Sequence, residues 1–165
     1  HRDIAFVGGS PHSHWAHVDQ ERLAGYRHAM REAGLSEFVR HAHSEVSLPG
    51  GYAAAADLLG DTRRRPTAIV GVCDEVAIGT IIAARRLGIQ VPSSFSVVGI
   101  DDHEFADMFA LTTLQQVPRE QGAAAVEVLL AEIADPGRAR TVVRTPARLI
   151  MRNSTAAPPL GAPAG

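Results

Sequence analysis

Two adjacent carboxylates, Asp101 and Asp102, are the residues of this sequence best placed to bind a ligand. They directly follow the segment 96–100, an apolar run of strand length with β-branched residues at its centre. In a parallel α/β sheet, ligands bind at the C-terminal ends of the strands. A carboxylate there accepts strong charge-assisted hydrogen bonds, which suits ligands with several hydroxyl groups. The segment therefore predicts both a strand and a candidate site.

Cys73, the only cysteine, ends another predicted strand just before a predicted helix. A helix N-terminus can lower a thiol pKa, so that Cys73 could act as a nucleophile with a nearby histidine as base. The alternative is a buried, inert thiol. A single cysteine excludes both an internal disulfide framework and a cysteine-rich zinc site.

Histidines cluster in two short stretches, one with His12, His14 and His17 and one with His41 and His43. They suggest a metal site. However, spacing within a loop is not diagnostic, and no fixed acidic or cysteine partner is evident. We therefore interpret the first three as solvent-facing loop residues and predict neither a metal nor a cofactor.

Length and composition are those of one ordinary globular domain: 165 residues, of which 45% are hydrophobic and 21% charged. The net charge of −2 gives no general attraction to nucleic acid. The sequence has no lysine, which excludes Schiff-base chemistry and a phosphate-binding loop lysine. No apolar run reaches the roughly 18 residues needed to span a bilayer, and we predict no membrane contact. The composition, with its single cysteine, predicts a cytoplasmic protein.

Apolar periodicity and glycine positions predict strands and helices in alternation. Helices are expected over 19–33, 51–59, 75–87, 102–110 and 118–134, and strands over 4–7, 38–42, 68–72, 95–100, 141–144 and 148–151. Asp19, Asp74 and Asp102 are the expected helix caps. The alternation predicts an α/β fold with a doubly wound, mainly parallel sheet and helices on both faces.

Five segments, in this order along the chain, carry a family pattern: Ile4 to Gly9 with Glu21 to Tyr26, Val72 to Gly79, Val91 to Asp102, Leu111 to Gln116, and Leu149 to Ser154. The third reads Val-Pro-x-x-x-Ser-Val-Val-Gly-x-Asp-Asp, and the fourth reads Leu-Thr-Thr-x-x-Gln. Together they resemble the effector-binding core of the LacI (lac repressor) family of bacterial transcription regulators. Any one of them alone would be weak evidence.

The resemblance implies a lobe of the type I periplasmic-binding-protein-like fold, from a regulator whose DNA-binding domain and most of whose first lobe precede His1. Residues 1–114 would form the C-terminal lobe. Residues 115–143 would be a crossover and a helix of the N-terminal lobe, and 144–155 would return to the C-terminal lobe. The tail 156–165 is too poor in core residues to fold.

The resemblance also implies ligand-binding roles for Arg22 and Asp101. Arg22 would face the cleft between the lobes, where its planar guanidinium can hold two hydroxyls or a carboxylate. A surface arginine paired with Glu21 or Asp19 is the alternative. Asp101 would accept hydrogen bonds from sugar hydroxyls, whereas Asp102 would be structural.

Three further residues complete the predicted ligand site. Gln116 would lie at the crossover, where the family often places a ligand or hinge contact. Cys73 stands where the family usually has asparagine, and a thiol both donates and accepts poorly, so an ordinary hexose is a less certain effector. Trp15 could offer a stacking surface to a sugar, although a core or dimer role is the alternative.

The function implied by the resemblance is effector sensing, without enzymatic activity, in a regulator that contacts operator DNA only through its absent N-terminal domain. The effector would be a sugar or sugar-like small molecule. A homodimer is expected through Ile78 and Phe109, with core packing as the alternative for both. Two other functions stay open: a periplasmic-type sugar-binding protein of an uptake system, and an enzyme that uses Cys73.

Overall fold

The computed structural model describes residues 1–9 and 16–158. The strands in that part of the chain are β1 (Ile4–Val7), β2 (Arg40–Ala42), β3 (Ala68–Gly71), β4 (Ser96–Asp101), β5 (Thr112–Gln115) and β6 (Arg148–Ile150). The helices are α1 (Ala16–Glu32), α2 (Leu48–Gly60), α3 (Asp74–Arg86) and α4 (Pro118–Ala134), and a 3-10 turn covers Ser36–Phe38. Outside the described residues lie the loop 10–15, with His12, His14 and Trp15, and part of the tail 156–165.

The strands form one sheet in the order β2-β1-β3-β4-β5-β6. The first five strands of this order are parallel, and β6 pairs antiparallel with β5. The chain moves from β1 to β2 on one side and then returns past β1 to β3, so the winding direction reverses between β1 and β3. Right-handed crossovers place α1 on one face and α2 and α3 on the other. This confirms the predicted doubly wound, mainly parallel α/β sheet.

The core lies between the central strands and the helices, and α3 is its most buried helix. The strands contribute almost completely buried side chains, among them Phe6, Ile69 and Val97. α2 covers α3 so closely that there is no room for a side chain at Gly79. A Cβ built there would lie 2.3 Å from the carbonyl oxygen of Leu48. α3 is apolar around most of its circumference because it packs against both the sheet and α2.

The structure corrects the predicted helix caps. α1 begins at Ala16, so Asp19 lies buried inside its first turns and does not cap it. Cys73, and not Asp74, occupies the N-cap position of α3. α2 begins at Leu48 because the Ser47 side chain caps it, accepting a hydrogen bond from the backbone N–H of Gly50.

Three other predictions of local structure are wrong. Residues 102–110 form turns and no helix, because Asp102 has a left-handed φ of +58° and its carboxylate accepts from Arg152. Residues 112–115, for which no strand is predicted, form β5 with two buried threonines. The exposed segment 141–144 forms no strand.

α4 packs against little of the described chain. No residue of this helix is buried, and four of its large apolar side chains are between 54% and 67% exposed: Val126, Leu129, Leu130 and Ile133. No helix of the described residues is long and apolar enough to cross a membrane.

Candidate functional site

A cavity of about 720 Å³ opens at the C-terminal edge of the parallel strands. Residues from α1, the start of α3, the end of β4 and the segment after β5 line it. Of the predicted ligand-binding residues, Arg22, Cys73, Asp101 and Gln116 are in this lining. Because parallel strands end at one edge, Arg22 and Gln116 meet here although they are 94 positions apart in the sequence.

Arg22 joins α1 to the ends of β3 and β4. One guanidinium nitrogen donates to the backbone carbonyl of Val72 at 2.7 Å, and the other lies 3.1 Å from Oδ1 of Asp101. The side chains of Arg22 and Asp101 are 20% and 37% exposed. The pair is therefore held in place by the fold, yet a ligand can reach it from the cavity.

Gln116 completes this cluster from the segment between β5 and α4. Its amide nitrogen donates to the same oxygen of Asp101 at 2.5 Å. Burial raises the pKa of Asp101, while the positive charge of Arg22 and the hydrogen bond from Gln116 oppose the rise. Several hydrogen-bonding groups of this cluster remain available to a ligand: the second carboxylate oxygen of Asp101, the remaining N–H groups of Arg22 and the side-chain carbonyl of Gln116. Together they offer both donors and acceptors, which suits a ligand with hydroxyl groups.

The backbone at the end of β4 is strained. Asp101 and Asp102 have φ angles of +126° and +58°, which L side chains rarely adopt. Such conformations cost about 1–3 kcal/mol each and concentrate at functional sites. The strain allows the two neighbouring carboxylates to point to different partners.

Asp102 faces away from the ligand cluster and holds the end of the sheet together. Its two carboxylate oxygens accept from Arg152 and from the Gln115 amide, each at 2.8 Å. Its backbone N–H donates to the Thr113 hydroxyl at 3.3 Å. The structure therefore places Asp102 in a structural ion pair between β4, β5 and the closing segment.

Asp74 is a further buried carboxylate behind the site. It is 1% exposed and accepts from the Thr113 hydroxyl at 2.6 Å and from the backbone N–H of His103 at 2.8 Å. Gly99 leaves room for it, because a Cβ there would lie 2.0 Å from the Asp74 carboxylate. Asp74 thus links the start of α3 to β5 and to the segment that follows β4.

Cys73 lines the cavity but is only 4% exposed. Burial raises the pKa of its thiol to about 11, and the negative charges of Asp101 and Glu75 act in the same direction. A backbone N–H, from Val76, is the main group that opposes this rise. At neutral pH the thiolate is scarce, which favours the interpretation of Cys73 as an inert thiol.

We expect iodoacetamide at pH 7.5 to alkylate Cys73 in the folded chain at least about 100-fold more slowly than in the urea-unfolded chain. The rate should climb as the pH approaches the raised thiol pKa, because only the thiolate reacts. Mass spectrometry of timed samples measures both rates, and no other thiol interferes. Equal rates in the folded and unfolded chains would show an accessible thiol of ordinary pKa, and a faster rate in the folded chain would show an activated cysteine.

Two residues that line the cavity, Glu75 and His103, were not among the predicted ligand-binding residues. Glu75 lies in the first turn of α3, and His103 follows the two aspartates after β4. The expectation that ligands bind at the C-terminal ends of parallel strands identified Asp101 and Asp102, and extending it by one residue would have found His103. Glu75 could not be found in this way, because its position depends on how α3 packs against β4.

The remaining predicted histidines have local partners. His41 and His43 stack edge-to-face with ring centroids 4.4 Å apart, and they bond to the backbone carbonyls of Gly8 and Gly9. His17 is exposed. Among residues 1–9 and 16–158, no three histidine, cysteine or acidic side chains are grouped closely enough to hold a metal ion.

The structure corrects one of the two predicted dimer contacts. Ile78 is 1% exposed and belongs to the hydrophobic core of the single chain, so it is not available to a second copy. It lies on α3, whose outer side is covered by α2. Phe109 is only partly buried, with the Arg85 guanidinium 5.6 Å from its ring centroid.

Comparison with known proteins agrees with this architecture. Residues 1–155 match the family of the periplasmic binding protein-like domain. The HTH-type transcriptional repressor PurR of Vibrio campbellii is 35% identical over 93% of the chain, and the HTH-type transcriptional regulator MalR of Streptomyces coelicolor is 39% identical over 85%. These matches cover 46% and 42% of the two relatives, so the chain spans about half of their length.

Solved structures show the same relationship. A dimeric Lac repressor with a C-terminal deletion superposes with a TM-score of 0.83 at 28% identity, covering 96% of this chain and 57% of that one. A LacI family regulator from Enterococcus faecium with bound ribose gives a TM-score of 0.81 at 26% identity, covering 94% and 57%. The chain belongs to the periplasmic-binding-protein-like domain family, in the form found in LacI-family transcriptional regulators.

Proposed function

We propose that this chain is the effector-sensing part of a transcription regulator and that its effector is a small molecule with several hydroxyl groups, such as a sugar. The observation that carries the proposal is the convergence of Arg22, Asp101 and Gln116 on one cavity at the strand ends. These groups donate and accept in directions that fit neighbouring hydroxyls. Bound ribose in two of the similar regulators supports the same ligand class.

The predicted organisation fits the exposed surface of the chain. Residues 1–114 and 144–155 would form one lobe, and the crossover and helix of 115–143 would belong to a second lobe. Exposed apolar residues on α4, such as Leu130 and Ile133, support this division because an isolated amphipathic helix gains little from standing alone. Ala156, the first residue of the predicted tail, is attached to the first of these lobes, because its backbone N–H donates to the Ser96 hydroxyl at 3.1 Å.

Binding would act by shifting the equilibrium between two arrangements of the lobes. An effector does this only through its different affinity for the two arrangements. The shift would change how an N-terminal DNA-binding part meets operator DNA in the cytoplasm. Homodimerisation would involve Phe109 and the neighbouring exposed side chains of Phe105 and Met108. No step of this function requires enzymatic chemistry.

A ligand screen tests the proposal. Monosaccharides, including D-ribose, are screened by thermal shift and then by calorimetry on the full-length protein encoded by the gene. We expect Asp101→Ala and Arg22→Ala each to weaken binding of every hit by about 10- to 100-fold, because each removes a charge-assisted hydrogen bond. Asp57→Ala, at an exposed site on α2, is the control and should keep the affinity. Hits that bind both site variants unchanged would place the effector elsewhere.

A further inference from the structure

The charged groups around the cavity are mostly negative. Its lining contains one guanidinium and four carboxylates, namely Arg22 with Asp19, Asp74, Glu75 and Asp101. The residues that α4 contributes, Pro118 and Gln121, carry no charge. The described part of the site therefore offers a negative potential to any molecule that enters it.

The single guanidinium does not compensate for this excess. Arg22 already bonds to Asp101 and to the carbonyl of Val72. Its remaining N–H groups can still bind a neutral hydroxyl. An anionic ligand, however, would have to draw Arg22 away from Asp101 or approach that carboxylate directly.

Glu75 is the carboxylate of this lining that has neither an ion pair nor a side-chain hydrogen bond within the described chain, whereas Asp101 is bound by Arg22 and Asp74 by hydrogen bonds to Thr113 and His103. It is exposed and lies in the first turn of α3. Burial is the main cause of the raised pKa values of Asp101 and Cys73, and the negative charge of Glu75 adds to both. Two carboxylates that repel each other across one cavity provide a place for a ligand cation.

Resting on the proposed function, we infer that the effector is a polyhydroxylated amine, of which an amino sugar is the simplest form. Its hydroxyls would bind the cluster of Arg22, Asp101 and Gln116, and its ammonium group would lie towards Glu75. The same charges act against sugar acids and sugar phosphates. A like charge about 6 Å away in surroundings of effective dielectric 20 weakens binding by about 100-fold.

Matched sugars test this inference. The probes are three sets, each with a neutral hexose, its 2-amino derivative and its uronate, built on glucose, galactose and mannose. Calorimetry on the full-length protein, at low ionic strength, gives the affinities. In at least one set we expect the amino sugar to bind at least about 10-fold more tightly than the neutral parent, and the uronate to bind most weakly.

Two variants locate the charge that is responsible. In Glu75→Gln the ratio of amino to neutral affinity should fall to about one, whereas in Glu104→Gln, an exposed carboxylate outside the cavity, it should stay as in the wild type. Tighter binding of a neutral hexose or a uronate, or an unchanged ratio in Glu75→Gln, would overturn the inference and leave the proposed function intact. Equal binding of the amino and neutral sugars, or binding of D-ribose but of no amino sugar, would also overturn the inference alone. If no member of any set binds, and D-ribose does not bind either, the proposed function fails and the inference fails with it.

Discussion

Gly79→Ala is expected to lower the free energy of unfolding by about 3 kcal/mol, a large effect for one added methyl group. The new Cβ would lie 2.3 Å from the carbonyl oxygen of Leu48 and 2.6 Å from the backbone nitrogen of Tyr52. Both are backbone atoms of α2, so no side-chain rotation relieves the overlap and the helices must separate. For a chain of this size, the melting temperature should fall by about 6–12 °C.

Gly122→Ala is the matched control, because Gly122 also lies inside a helix but a Cβ there meets nothing within 4 Å. Alanine at that position should stabilise α4 locally by about 0.5–1 kcal/mol through its higher helix propensity. Urea denaturation followed by circular dichroism measures both variants. If Gly79→Ala is as stable as the wild type, α2 and α3 do not pack at the distance described here.

The same close contact explains why Ile78 was misassigned from the sequence. Every position of α3 between Val76 and Ala84 except Thr80 is apolar, and a helix segment that is apolar all round is buried on all sides. This apolar pattern predicts that Ile78 is covered but does not identify the element that covers it, and the predicted dimer contact came from the family resemblance. In the structure the covering element is α2 of the same chain, reached through Gly51 and Gly79.

The strands that position the site could be predicted where they are made of β-branched and apolar residues, as in β1, β3 and β4. β5 could not, because Thr112 and Thr113 look polar in the sequence and are buried only through their hydrogen bonds. Asp101 could be predicted because ligands bind at the C-terminal ends of parallel strands. Its partners Arg22 and Gln116 came from the family pattern, since no local rule connects residues so far apart in the chain.

Asp74→Ala is the second variant with a large expected effect, a loss of about 3 kcal/mol in the free energy of unfolding. The substitution leaves the Thr113 hydroxyl and the His103 backbone N–H without their acceptor in a buried place. It also removes the tie between α3 and β5, which leads into Gln116. We therefore expect weaker effector binding as well, although Asp74 itself is 1% exposed.

Asp74→Asn separates the hydrogen bonds from the charge. The amide has the same shape, its oxygen can accept from the His103 N–H, and its nitrogen can donate to the Thr113 hydroxyl oxygen. Burial raises the pKa of Asp74, which shows that burial of the charged form is unfavourable. The asparagine variant should therefore lie within about 1 kcal/mol of the wild type at pH 7.

The pH dependence of the same pair of proteins checks the role of the charge. The pKa of Asp74 is higher in the folded chain than its ordinary value of 3.8, so the folded chain holds the proton more tightly than the unfolded chain does. The stability that this proton contributes is complete below pH 3.8 and is lost as the pH rises through the raised pKa of the folded chain. Asp74→Asn lacks this decline, so its stability relative to the wild type should improve with rising pH across that window. Urea midpoints measured at pH steps give the comparison. If Asp74→Asn is as unstable as Asp74→Ala at pH 7, the negative charge of Asp74, and not its hydrogen bonds with Thr113 and His103, stabilises this part of the fold.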